Sequence, residues 1–179
     1  MHQIRVWAQS SAQGKEGFFV SLLDPSTGLF RQEAFLHLLV RETGRGTRYR
    51  DLFTLCLFKP DVPEDESGFE KRIETALSTK VSEFVRATDL VGHFPEALGV
   101  LLLHTGHGEA LGVAERVREA IRRVEFRQGP EHQPRPLTLS AGVVSFPRDG
   151  QSSAILLSRA QRYLQQARQG GGDKVVFAG

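Results

Sequence analysis

Cysteine is almost missing from this chain: Cys56 is the single one in 179 residues. One thiol excludes an intramolecular disulfide and any thiolate cluster for zinc. Its setting, the apolar run LFTLCLF, predicts a buried and inert thiol rather than a nucleophile. Long apolar runs are missing as well. No segment reaches the roughly 18 apolar residues that a membrane-spanning helix needs, and the opening MHQIRVWAQSSAQGKEG has no apolar signal core. A cytoplasmic protein without membrane contact is expected. An excess of one charge is lacking too, with Lys and Arg at 23, Asp and Glu at 21 and a formal net charge of +2. Without a long basic run, nucleic-acid binding gains no support. Arg45, Arg48 and Arg50 make a small basic cluster, read as part of a solvated loop.

What is present suits a folded core. Hydrophobic residues make up 40% of the chain and charged residues 25%, the balance of one globular domain with an extension. The expected division is an N-terminal extension over residues 1–23 and a domain over 24–179. Asp24-Pro25-Ser26-Thr27-Gly28 reads as a turn with a helix-start signal. EAFLHLLVRE follows with Phe35, Leu38 and Leu39 at helical spacing, and GRGTRYRD reads as a polar loop. LFTLCLF, a short continuous apolar run, fits a buried central strand. After the acidic loop KPDVPEDESG, the residues Ile73, Leu77, Phe84 and Val85 mark one stripe of a helix ending near Arg86. A hairpin is expected next, with strands ending near Phe94 and resuming near Leu98. A helix over Glu109–Val124, a loop or hairpin tip in RQGPEHQPRP, a strand in LTLSAGVVSF, a helix stopped by glycines 170–172 and a last strand in KVVF complete the chain. A hairpin set inside alternating helices and strands predicts an α/β (α+β) fold, a mixed or antiparallel sheet with helices packed on it.

The residues alone give little chemistry. No nucleophile, base and acid assemble into a set. His104 and His107 stand three apart near a strand end, open to a metal reading or to a surface one. The glycines at 170–172 follow a helix, whereas a phosphate loop precedes one. The acids of DVPEDESGFE are open to a cation or to water alone. Arg86 and Asp89 sit three apart just before the hairpin. The arginine in a last helical turn favours the helix dipole, and the aspartate is placed to cap the turn or pair with it.

Several strings, in order, resemble the GGDEF domain, the family of diguanylate cyclases that make cyclic di-GMP from GTP. Asp24-Pro-Ser-Thr-Gly-Leu29 is similar to that family's opening D-x-L-T-G-L. RATDLVGHF resembles the approach to the signature hairpin, and Ala114–Ile121 the helix after it. Leu137-Thr-Leu-Ser-Ala-Gly-Val143 resembles T-x-S-x-G-V, and Leu156–Ala160, Ala167-Arg168 and Val175 resemble the last helix and strand. The resemblance implies a nucleotidyl-cyclase-like, palm-like fold: a central mixed antiparallel sheet flanked by helices. It also implies a degenerate member. Where the signature should read Gly-Gly-Asp-Glu-Phe, this chain has Pro95-Glu96-Ala97-Leu98-Gly99. Glycines there let backbone approach phosphates, and proline has no N–H to offer. Phe58 falls where the first-strand acid belongs, with Asp61 as a candidate substitute. Family members need carboxylate-held metal ions to neutralise phosphates and activate the attacking hydroxyl.

The resemblance therefore implies no catalytic residue, no metal and no cofactor in this chain. It implies a surviving R-x-x-D inhibitory site, Arg86 and Asp89, for cyclic di-GMP, and a phosphate-contacting cation at Arg168. An inactive signalling module that receives cyclic di-GMP is the expected function. A protein-interaction module that binds no nucleotide is the alternative, and a residual cyclase the remote one. A protein partner in a signalling pathway is expected in either of the first two readings.

Overall fold

The computed structural model describes residues 22–62, 70–126 and 135–179. The expectations for residues 1–21, for most of the acidic loop after Asp61 and for the tip of the loop after Phe126 lie outside those residues. Among the described residues, four helices, α1 (Gln32–Tyr49), α2 (Glu70–Phe84), α3 (His107–Arg122) and α4 (Ser153–Gln169), alternate with the main strands β1 (Phe53–Pro60), β2 (Leu90–Phe94), β3 (Ala97–Leu103), β6 (Leu139–Phe146) and β7 (Val175–Phe177). A short antiparallel ribbon of β4 (Glu125–Phe126) and β5 (Arg135–Pro136) frames the loop after α3.

The main strands form one sheet in the order β2-β3-β1-β6-β7. β1 is antiparallel to β3 and β6, β2 and β3 are an antiparallel hairpin, and β7 lies parallel to β6. The parallel pair is joined through α4, since parallel neighbours need a crossover. β1 is central, and its residues Phe53–Phe58 are all buried. Cys56 and Phe58 pack with Ile73, Leu77 and Val81 of α2 and Val117 of α3. Phe53, Leu55 and Leu57 pack with Phe35 of α1 and Leu156 and Leu164 of α4. Covering both sheet faces explains why LFTLCLF shows no alternation with polar residues. Burial pushes the Cys56 thiol up to about 12, so it is inert as expected.

Two local readings are corrected. GRGTRYRD is not a loop: α1 runs through it to Tyr49 and stops at Arg50, whose φ is 60°. Glycine costs a helix about 1 kcal/mol relative to alanine, but packing outweighs that here. A Cβ on Gly46 would lie 2.6 Å from the Phe146 ring, so glycine lets the last turns close onto β6. Arg45 is accordingly a helical residue paired with Glu42 and with Asp51 at 3.0 Å. The second correction concerns Asp24. Its carboxylate accepts from the Ser26 hydroxyl and from the N–H groups of Ser26 and Thr27, which closes a turn instead of starting a helix. α1 begins only at Gln32, with no side-chain cap. The turn docks on the sheet edge: Phe30 N–H donates to Val91 C=O and His93 N–H donates to Phe30 C=O.

Candidate functional site at the hairpin

α2 ends where its buried stripe ends, after Val81 and Phe84, and the chain turns into β2 over residues 85–89. Asp89 builds that turn. Its Oδ2 accepts from the backbone N–H of Arg86 at 2.7 Å and its Oδ1 from the N–H of Leu103 at 3.0 Å. Its own N–H donates to Arg86 C=O. The carboxylate thus caps the turn and ties it to the end of β3. The Arg86 side chain is exposed and has no hydrogen bond or ion pair among the described residues. Of the two structural roles open to Asp89, capping is the one the molecule uses, and Asp89 makes no ion pair with the guanidinium.

The hairpin turns on Pro95 and Glu96, between Phe94 and Ala97. Proline first and a positive φ second, 55° at Glu96, is the type II pattern, which usually places glycine at the second position. The Glu96 carboxylate reaches Lys59 Nζ at 2.5 Å. That hydrogen bond and the ammonium charge hold its carboxyl below the usual range, with a smaller contribution from Arg168. Beyond the turn, Leu98 stands opposite Phe58 across β3 and β1, and the two are 2% and 1% exposed. Gly99 stands opposite Gly92, and the Phe35 ring lies over both: a Cβ on Gly99 would meet it at 2.4 Å and one on Gly92 at 2.7 Å.

A cleft of about 570 Å³ opens between the turn, the end of β1 and α2, with Lys59, Glu74, Glu96, Leu98 and Arg168 among its walls. Arg168 is half-buried and makes no hydrogen bond or ion pair among the described residues, although its charge acts on Glu96. Glu74 is engaged by His93 Nδ1 at 2.7 Å, and His93 Nε2 meets the Thr27 hydroxyl at 3.0 Å. Asp61, the candidate substitute acid, is committed elsewhere. It accepts from the Ser140 hydroxyl at 2.6 Å and from Asp173 N–H at 2.8 Å, and it is not part of the cleft wall.

The side chains of Phe58, Ala97 and Leu98 carry no ligand atoms, and among the described residues no group of three or more His, Cys, Asp or Glu is placed to hold a metal. His104 is exposed, while His107 Nδ1 sits 3.3 Å from the Ser145 hydroxyl and its pKa is lowered, chiefly by burial. The glycines at 170–172 stop α4: Gly170 and Gly172 donate to Gln166 and Ala167 carbonyls, so these N–H groups are not free for a phosphate. Sequence reasoning missed Lys59 and its pairing with Glu96. The available signal was a lysine ending an apolar strand beside an acid at a turn position that favours glycine.

A sequence model described as the diguanylate cyclase GGDEF domain matches residues 73–174, more than half of the chain, and the chain belongs to that family. No curated protein matches it. Among solved structures, the diguanylate cyclase SiaD of Pseudomonas aeruginosa, in complex with its activator SiaC, is 28% identical with a TM-score of 0.74 over 88% of this chain. This chain spans 62% of the SiaD chain. The coiled coil and GGDEF domain of DgcB from Caulobacter crescentus, in complex with c-di-GMP, is 15% identical with a TM-score of 0.77, covering 89% of this chain and 86% of that one. The FimX GGDEF domain of Pseudomonas aeruginosa is 18% identical with a TM-score of 0.73, covering 88% and 99%. The last two likenesses are of fold. The mixed sheet with flanking helices is the cyclase-like architecture of this family.

Proposed function

We propose that this GGDEF-family domain does not synthesise cyclic di-GMP and instead receives it, in the cytoplasm, through the exposed Arg86. The observation that carries the first half is the buried Phe58–Leu98 pair. Phe58 occupies the first-strand acid position of the resemblance, while Ala97 and Leu98 occupy the two acidic positions of its signature. An apolar pair in the sheet core supplies no charge to offset phosphates, and Pro95 removes an N–H from the turn. The receptor half is supported by Arg86, whose planar fork of donors suits a guanine edge or a phosphate and has no competing partner among the described residues. Asp89 would act there mainly by holding the turn, since each of its oxygens already accepts one N–H. DgcB was solved with c-di-GMP bound, which fits a ligand of that kind for this fold.

Calorimetric titration of the whole chain with cyclic di-GMP tests the receptor reading. Wild type binds, and Arg86→Ala weakens binding about tenfold or more, because a charge-assisted contact contributes on the order of 1.5–3 kcal/mol. Absence of binding at high micromolar ligand overturns the receptor. A second reading then stands, that of an interaction module that signals through a protein partner. It is favoured by the engagement of both Asp89 oxygens with backbone and by the complex of SiaD with a protein activator.

A further inference from the structure

The end of the sheet opposite the hairpin turn gathers side chains that the core does not use. Phe53 of β1 stands there between Leu103 of β3 and Phe146 of β6. α1 stops at this end, with Gly46 against the Phe146 ring, and α4 starts there, with the Ile155 side chain against Gly150. Tyr49, Leu52 and Ile155 remain 61%, 42% and 46% exposed. Exposed arginines stand in the same segments. The Arg48 guanidinium lies 5.5 Å from the centre of the Tyr49 ring, and Arg50 makes no hydrogen bond or ion pair among the described residues. Arg148 and Arg159 donate to the carbonyls of Ala178 at 3.3 Å and Asp149 at 2.6 Å, contacts that orient a cation without cancelling its charge. The acids of these segments are already engaged. Asp51 is paired with Arg45 at 3.0 Å, and Asp149, 2% exposed, accepts from Ser145 N–H at 2.7 Å. α4 itself has three arginines and no acid. The dipole of α1 favours Arg48 near its C-terminus, but gives no reason for Arg159 in the first half of α4 or for Arg148 ahead of it.

We propose that this surface, where the end of α1 meets the start of α4, docks an acidic, amphipathic segment of a partner protein, whose carboxylates meet the arginines and whose apolar side chains cover Tyr49, Leu52 and Ile155. The charge decides the sign of the partner, since like charges across an interface are costly and opposite ones steer the encounter. The residue types decide its class. Arginine and aromatic side chains are enriched in protein interfaces and lysine is depleted, and neither α1 nor α4 contains a lysine. A guanidinium also grips a carboxylate through two parallel N–H bonds, which an ammonium cannot do. A lipid surface fits less well. A helix that lies in a bilayer interface needs its apolar face free, whereas α1 and α4 spend theirs on the core through Phe35 and Leu39 and through Leu156 and Leu164. The inference goes beyond the cyclic di-GMP reading and uses neither Arg86 nor the cleft beside the hairpin.

The test is fluorescence anisotropy of the whole chain with a labelled synthetic helical peptide that carries leucines on one face and glutamates on the other. Wild type is expected to bind it with a Kd on the order of 10–100 μM, and not to bind the same peptide with lysines in place of the glutamates. Arg48→Glu/Arg148→Glu weakens binding about tenfold or more. Both arginines are exposed, and Arg48→Gln/Arg148→Gln, with a smaller loss in the same direction, serves if the reversed pair does not fold. Tyr49→Ala/Ile155→Ala weakens binding roughly fivefold or more, through the lost apolar contact. Arg86→Ala leaves it unchanged, so failure of this inference and failure of the cyclic di-GMP reading are told apart. No binding of the acidic peptide at high micromolar concentration overturns the proposal. So does equal binding of the lysine peptide, or an affinity that both arginine pairs of variants leave unchanged. Sedimentation of the chain with phosphatidylserine vesicles, in the absence of peptide binding, overturns it in favour of a lipid surface.

Discussion

Arg86 and Asp89 share a short turn and divide its work. Asp89 satisfies two backbone N–H groups that belong to different elements, so Asp89→Ala leaves both donors without that partner. The expected loss is about 1–3 kcal/mol of stability, measured by urea unfolding. Arg86→Ala removes an exposed side chain without a partner among the described residues and should stay within about 0.5 kcal/mol of wild type. Equal losses in the two variants would contradict this division. Asp24 gives a second residue-scale expectation. The Ser26 hydroxyl, helped by the N–H groups of Ser26 and Thr27, lowers its pKa to about 2 from the ordinary 3.8. A depressed carboxyl pKa stabilises the fold above the unfolded-state value, and that contribution fades as pH falls from about 4 towards 2. An NMR titration of the Asp24 carboxyl carbon should show a midpoint near 2, and a midpoint at 3.8 would mean the turn bonds do not form in solution.

At the scale of elements, the contact between α1 and the hairpin fixes the geometry of the candidate site. The Phe35 ring occupies the space above Gly92 and Gly99, and Gly99 is where the resemblance expects the phenylalanine of the signature. Gly99→Phe should therefore overpack this layer and cost about 1–3 kcal/mol or more. Thermal melting of Gly99→Phe beside Gly99→Phe/Phe35→Ala checks it: the double variant recovers part of the loss if the two rings compete, and recovers none if they do not. This coupling was not legible in the sequence, because it joins residues far apart in the chain. The same holds for Lys59 with Glu96. The extent of α1 was hidden for a related reason: Gly44 and Gly46 read as loop residues, and only the closeness of Phe146 to Gly46 explains the helix. By contrast, LFTLCLF, the Ile73–Leu77 stripe and the hairpin were legible, because local periodicity and turn chemistry decide them. The R-x-x-D spacing drew attention to the turn before β2, but not to the way Asp89 caps it.

At the scale of the whole molecule, the fold is that of its family, while the chemistry at the hairpin differs from what the resemblance expects of a cyclase. The sheet order β2-β3-β1-β6-β7 brings the β2–β3 turn beside the end of β1. By the resemblance, that is the junction where carboxylates are expected in a cyclase. In this chain the junction holds a buried apolar pair, a proline, and an acid turned onto a lysine. Among the described residues, no helix is long and apolar enough to cross a membrane. The account predicts that a signal passes through ligand or partner binding and not through turnover. The most direct test is incubation of the purified chain with GTP and magnesium, followed by chromatographic separation of the nucleotides. No cyclic di-GMP above a no-protein control is the predicted result, and product that grows with protein concentration and time would contradict the account.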